Sequence, residues 1–132
     1  MRVISARYTT LTDTQAAEGQ SGEYSVIADR PPGVAGGQGL GFNGGQLLAL
    51  AIGGCLCNDL RYAAHQREVA LAPFELAVDV HIGDDGDVAR VSVRLDAEGE
   101  RDRVAELLDE AVAMSTIVRA VTRGAPIDIA LA

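Results

Sequence analysis

Three features of this 132-residue chain predict an α+β fold. Strand-like runs lie at the N-terminus, one long apolar helical segment occupies the middle, and an alternating hairpin precedes a helix-rich end. Strands and helices come in separate blocks, not in strict βαβ alternation, which is the order of an α+β domain. The length suits a single domain over residues 1–132, with enough chain to bury a core.

Residues 2–10 (RVISARYTT) and 22–29 (GEYSVIAD) carry β-branched and aromatic side chains and read as a pair of strands. The polar TDTQAAEGQSG between them reads as a turn or short loop. Residues 31–45 (PPGVAGGQGLGFNGG) are too rich in glycine for regular structure. They lack the Lys-Ser/Thr ending of a phosphate-binding loop, so they read as a flexible connector near a site.

The strongest element is a helix over residues 46–67. Leu47, Leu48, Leu50, Ala51, Ile52, Cys55, Leu56, Leu60, Ala63 and Ala64 make it apolar over most of its circumference, as expected of a central, buried helix. Gly53 and Gly54 each cost such a helix about 1 kcal/mol relative to Ala, and close approach of a second helix backbone would explain them. Beyond Pro73, FELAVDVHI and VARVSVRLDA alternate apolar with polar residues, and GDDGD joins them in a hairpin whose acidic tip is solvated. Residues 100–114 form an amphipathic helix with Val104, Leu107, Leu108, Ala111 and Val112 on one face. Ser115-Thr116 caps a further helical turn through IVRAVTR, ended by Gly124, and residues 126–131 read as a final short strand.

Composition narrows the function classes. A net charge of −8, from 11 basic and 19 acidic residues, with arginine as the sole basic type and no basic run, argues against nucleic-acid binding. No signal peptide is read at MRVISARYTTLTD. The longest apolar stretch, residues 47–57, is short for a bilayer span, so a soluble cytoplasmic protein without membrane association is expected. In that reducing compartment the two cysteines are thiols rather than a disulfide. Aromatic residues make up only 4% of the chain, and a core this poor in large side chains often completes its burial across a subunit interface.

Three segments, in order, resemble the OsmC/Ohr family of osmotically induced and organic-hydroperoxide-resistance proteins. They are VIADRPPGVAGGQGLGFNGGQLL, LLALAIGGCLCNDLRYAAH with a cysteine deep in the helix, and AMSTIVRAVTRGAPIDI. The resemblance runs from about Ser25 onward. It implies an intertwined homodimer and thiol peroxidase chemistry: a cysteine on the central helix attacks an organic hydroperoxide, an arginine and a glutamate activate the thiolate, and a second cysteine resolves the sulfenic acid. Cationic neighbours favour a thiolate, which is the nucleophile.

On that resemblance Cys55 stands at the nucleophile's position. Gly45 stands where the family has its glutamate, in Gly44-Gly45-Gln46-Leu47. Ser115 stands at the resolving cysteine, which a hydroxyl cannot replace, and Arg30 is the nearest candidate for the activating arginine. Cys57 is turned about 200° from Cys55 around a helix and cannot bridge to it without unwinding. The implied chemistry is therefore one-cysteine chemistry with an external thiol reductant and no cofactor. The other reading of Cys55 is a small buried hydrophobe, and the corresponding alternative function is a non-catalytic dimer that binds a small apolar ligand or a protein partner. Of the remaining polar residues, Asp59 shares a helix face with Cys55, and His65 lies two turns further on. These three would ligate a metal only on a bent helix. His81 reads as a surface residue, and Arg61 as a structural partner of Asp59 or of a carboxylate on the other subunit.

Overall fold

A computed structural model describes residues 1–132 and has the expected α+β composition, five strands and three helices. They fall into two compact units, Met1–Leu48 and Ala49–Ala132.

The first unit holds an antiparallel meander of β1 (Arg7–Thr10), β2 (Ala17–Ser21) and β3 (Tyr24–Ala28). The segment read as a loop thus contains the central strand, and residues 2–6 lie outside the sheet. AEGQS has no β-branched residue, so propensity misses it, but its backbone pairs on both sides: Gly19 lies opposite Tyr8 and Val26. A Cβ at Gly19 would stand 2.5 Å from the Tyr8 ring, so the bare backbone is what lets that ring lie across β2.

The Gly-rich segment is tied down, not a free connector. Asp29 ends β3 with a nearly buried carboxylate, and its Oδ2 accepts the backbone N–H groups of Gln38 (3.1 Å) and Leu40 (3.0 Å). Its Oδ1 accepts from the Arg30 backbone N–H and from the Arg30 guanidinium. The N–H of Leu40, then the guanidinium, hold this carboxyl down at about 2, from an ordinary 3.8. Phe42 continues the sheet through a parallel bridge to Ala28. Asn43 and Gln46 then exchange side-chain-to-backbone bonds of 2.9 and 3.0 Å, a capping box that starts α1 (Gly44–Gln66).

In the second unit, α1 is followed by an antiparallel hairpin of β4 (Phe74–Ile82) and β5 (Val88–Ala97), then α2 (Arg101–Met114) and α3 (Thr116–Arg123). The hairpin tip closes as expected, with Gly86 at positive φ and Asp85 accepting the N–H of Asp87. Leu60, Ala63 and Ala64 of α1 and Leu107 and Ala111 of α2 form the buried core. Phe74 and Leu76 of β4 and Leu95 of β5 pack on it.

Within the single chain, three expectations are not met in this unit. Only one face of α1 is buried within the chain, since Leu50 is 52% and Tyr62 61% exposed. Gly53 does not meet a second helix: a Cβ there would lie 3.1 Å from Val78 of β4, and one at Gly54 would meet open space. Residues 126–131 are extended but form no strand, because no strand of this chain pairs with them, and Ile127, Ile129 and Leu131 stand exposed. By length and composition α1 could cross a membrane, with a mean hydropathy of 1.2 over 18 residues. Its Leu56 and Leu60 are fully buried, however, as in a core helix.

Candidate active site

Cys55 sits in the middle of α1, half-buried, with its sulfur between two polar side chains. Helical spacing places Asp59 one turn on, where its Oδ2 accepts the Cys55 S–H at 3.3 Å. The third group arrives from a chain position 60 residues away. Ser115 lies between α2 and α3, where the backbone leaves helical geometry for one extended residue. Its hydroxyl caps α3 by accepting the N–H of Val118 at 3.3 Å, the N-cap role read from the sequence. With that lone pair engaged, the Ser115 O–H points to Cys55 Sγ and donates to it at 3.2 Å.

The chain Ser115 O–H to Cys55 S–H to Asp59 carboxylate therefore has one direction, because an ionised carboxylate only accepts. Ser115 is fully buried and Asp59 is 9% exposed, whereas Cys55 as a residue is only half-buried. No ion pair within the chain compensates Asp59.

The other candidates make contacts of their own. Arg30 belongs to the first unit, where its Nη2 binds Asp29 Oδ1 at 2.9 Å and the Gln15 carbonyl at 2.6 Å, while its Nε is buried without a partner. Its guanidinium thus anchors the Asp29 loop. Cys57 is half-buried and has no side-chain hydrogen bond, and neither cysteine is in a disulfide. Gly45 offers no side chain at the start of α1. Arg61 does not pair with Asp59; it donates to the Leu71 carbonyl at 2.7 Å and stacks 5.0 Å from the Phe74 ring centroid. His81 is exposed on β4. Cys55 and Asp59 meet, but His65 does not join them, and no three such side chains converge on a metal position. The i, i+4 pair of Cys55 and Asp59 is legible in the sequence, but its use is not, because burial of the carboxylate and the approach of Ser115 are tertiary facts.

The profile of OsmC-like proteins matches residues 36–130, well over half of the chain. None of the curated proteins matches it. Among solved structures, a hypothetical protein of Aquifex aeolicus superposes with a TM-score of 0.77 at 11% identity, over 94% of this chain and 90% of that one. A putative osmotic stress induced and detoxification response protein of Psychrobacter arcticus gives 0.73 at 15%, over 91% and 89%. A putative organic hydroperoxide resistance protein of Vibrio cholerae, with captopril in one of its active sites, gives 0.66 at 24%, over 94% and 86%. With this fold, and with that profile running through the helix that carries Cys55, the chain belongs to the OsmC-like family.

Proposed function

We propose that this protein reduces organic hydroperoxides with a single working cysteine, Cys55, at the expense of an external thiol. The observation that carries the reading is the sulfur of half-buried Cys55, held between a hydroxyl donor and a carboxylate acceptor. Solved relatives of the same fold that are described as organic hydroperoxide resistance proteins support the substrate class. The thiolate attacks the outer oxygen of R–O–O–H, an S–O bond forms as the O–O bond breaks, and the alcohol ROH leaves. Sulfur is oxidised to sulfenic acid, and the peroxide is reduced.

Ser115 cannot supply the second sulfur, and Cys57 faces away around α1. One external thiol therefore condenses with the sulfenic acid, releasing water and leaving a mixed disulfide. A second thiol displaces Cys55 as a free thiol. Such a cycle needs a reducing compartment, in keeping with a cytoplasmic location. The working unit is a homodimer, in which a second copy covers the apolar side chains left exposed at Leu50, Tyr62, Ile127, Ile129 and Leu131.

The test is steady-state turnover of cumene hydroperoxide by wild type and Cys55→Ser, with dithiothreitol and separately with a dihydrolipoyl reductant. Turnover lost in the variant supports the reading. No turnover by wild type with either reductant overturns it and leaves the fold as a non-catalytic binder, a reading in keeping with glycine at 45 and serine at 115.

A further inference from the structure

A carboxylate on the buried face of a helix costs stability unless a cation or several donors compensate it, and aspartate is a poor helix former as well. Asp59 is 9% exposed, no cation of its own chain pairs with it, and within the chain it accepts a hydrogen bond from the Cys55 thiol alone. Within the chain its one side-chain partner is the sulfur.

We propose that Asp59 is the proton carrier of Cys55, and that Ser115 serves as the hydrogen-bond donor that stabilises the sulfur once its proton has left. The direction of the three-group chain is what this role needs. The S–H already points to Asp59 Oδ2, so the proton moves along an existing bond as sulfur attacks. The negative sulfur then keeps the Ser115 O–H, whose orientation is fixed by the cap it makes with Val118. With the peroxide as oxidant, the thiol proton passes to the carboxylate, the S–O bond forms, the O–O bond breaks, and Asp59 returns the proton to the departing alkoxide. The sum is thiol plus hydroperoxide giving sulfenic acid plus alcohol. Asp59 thereby supplies, from the nucleophile's own helix, a carboxylate that position 45 lacks.

The inference rests on the hydroperoxide reading for its substrate, and the experiment separates the two. In a Cys57→Ser background, the rate constant for Cys55 oxidation by cumene hydroperoxide is measured by stopped flow for the parent, Asp59→Asn, Asp59→Glu and Ser115→Ala. Alkylation by iodoacetamide, which needs no proton returned to its leaving group, is measured in parallel. General acid–base assistance is worth roughly 10²–10⁴-fold, so Asp59→Asn is expected to oxidise at least about tenfold slower, with partial recovery in Asp59→Glu. Ser115→Ala is expected to slow both reactions, and Asp59→Asn to slow alkylation by a smaller factor than oxidation. Oxidation of Asp59→Asn at the parent rate or faster overturns the proposal, since a carboxylate that only repels a thiolate slows the reaction and its removal speeds it. If the parent is not oxidised by hydroperoxide, the substrate reading fails and the alkylation arm alone decides: slower alkylation of Asp59→Asn keeps Asp59 as proton acceptor, and unchanged or faster alkylation removes that role. Melting curves for each variant identify any that has lost its fold. Asp59→Glu, which keeps the carboxylate, then carries the comparison.

Discussion

Replacing Ser115 by cysteine converts the hydroxyl–sulfur contact into a test of the site's geometry. Ser115 Oγ lies 3.2 Å from Cys55 Sγ, and a disulfide requires about 2.05 Å between sulfurs, so the two atoms must close by about 1 Å. Rotamer adjustment at a helix junction can absorb that distance. The bond would close a loop between positions 60 apart, for which the chain-entropy relation gives about 4 kcal/mol of stabilisation. For a domain of this size that corresponds to a rise in Tm on the order of 10 °C. The experiment uses Ser115→Cys in a Cys57→Ser background, oxidised with diamide or one equivalent of cumene hydroperoxide. Intact mass, thiol titration and peptide mapping identify the bond, and melting curves with and without reductant give its stabilisation. Quantitative, intramolecular bonding of positions 55 and 115 is expected. An oxidised protein that keeps both thiols, or that cross-links only between chains, would refute the juxtaposition on which the candidate active site is built.

Three further outcomes follow from named contacts. Asp29 is held at about 2 in the fold against an ordinary 3.8, so its contribution to stability is complete above about pH 4 and is lost as pH falls from there toward 2. The amide protons of Gln38 and Leu40, followed by NMR, should titrate with a midpoint near 2 and lose that step in Asp29→Asn; a midpoint near 3.8 would contradict the hydrogen-bonded hub. Gly41→Ala drives a Cβ into the Ile27 carbonyl and should cost more than about 2 kcal/mol in urea unfolding, with loss of the pairing between Ala28 and Phe42. Leu60→Ala empties a fully buried position in the α1–α2–hairpin core and should cost about 2–5 kcal/mol by the same assay.

Much of the architecture was legible because periodicity is a direct record of burial. The alternation in FELAVDVHI and VARVSVRLDA became β4 and β5, and the spacing of Leu107, Leu108 and Ala111 became the inner face of α2. Where pattern and structure part, a non-local partner decides. AEGQS has no strand propensity and is a strand because β1 and β3 flank it. IDIAL has the alternation and is not one, because nothing in this chain pairs with it. At the site, Cys55 and the cap role of Ser115 could be read from position and local chemistry. Their contact could not, since it joins residues 60 apart. For Arg30, what the sequence does not show is its local anchorage, the bonds its guanidinium makes to Asp29 and to the Gln15 carbonyl.

The central claim is that Cys55, rather than Cys57 or both together, takes the oxygen of an organic hydroperoxide. The most direct measurement is a single turnover with one equivalent of cumene hydroperoxide, trapped with dimedone and read by mass spectrometry of the α1 peptide. One dimedone adduct on Cys55 and one equivalent of cumyl alcohol are expected, with neither product from Cys55→Ser. An adduct on Cys57, or alcohol formed equally by Cys55→Ser, would contradict it.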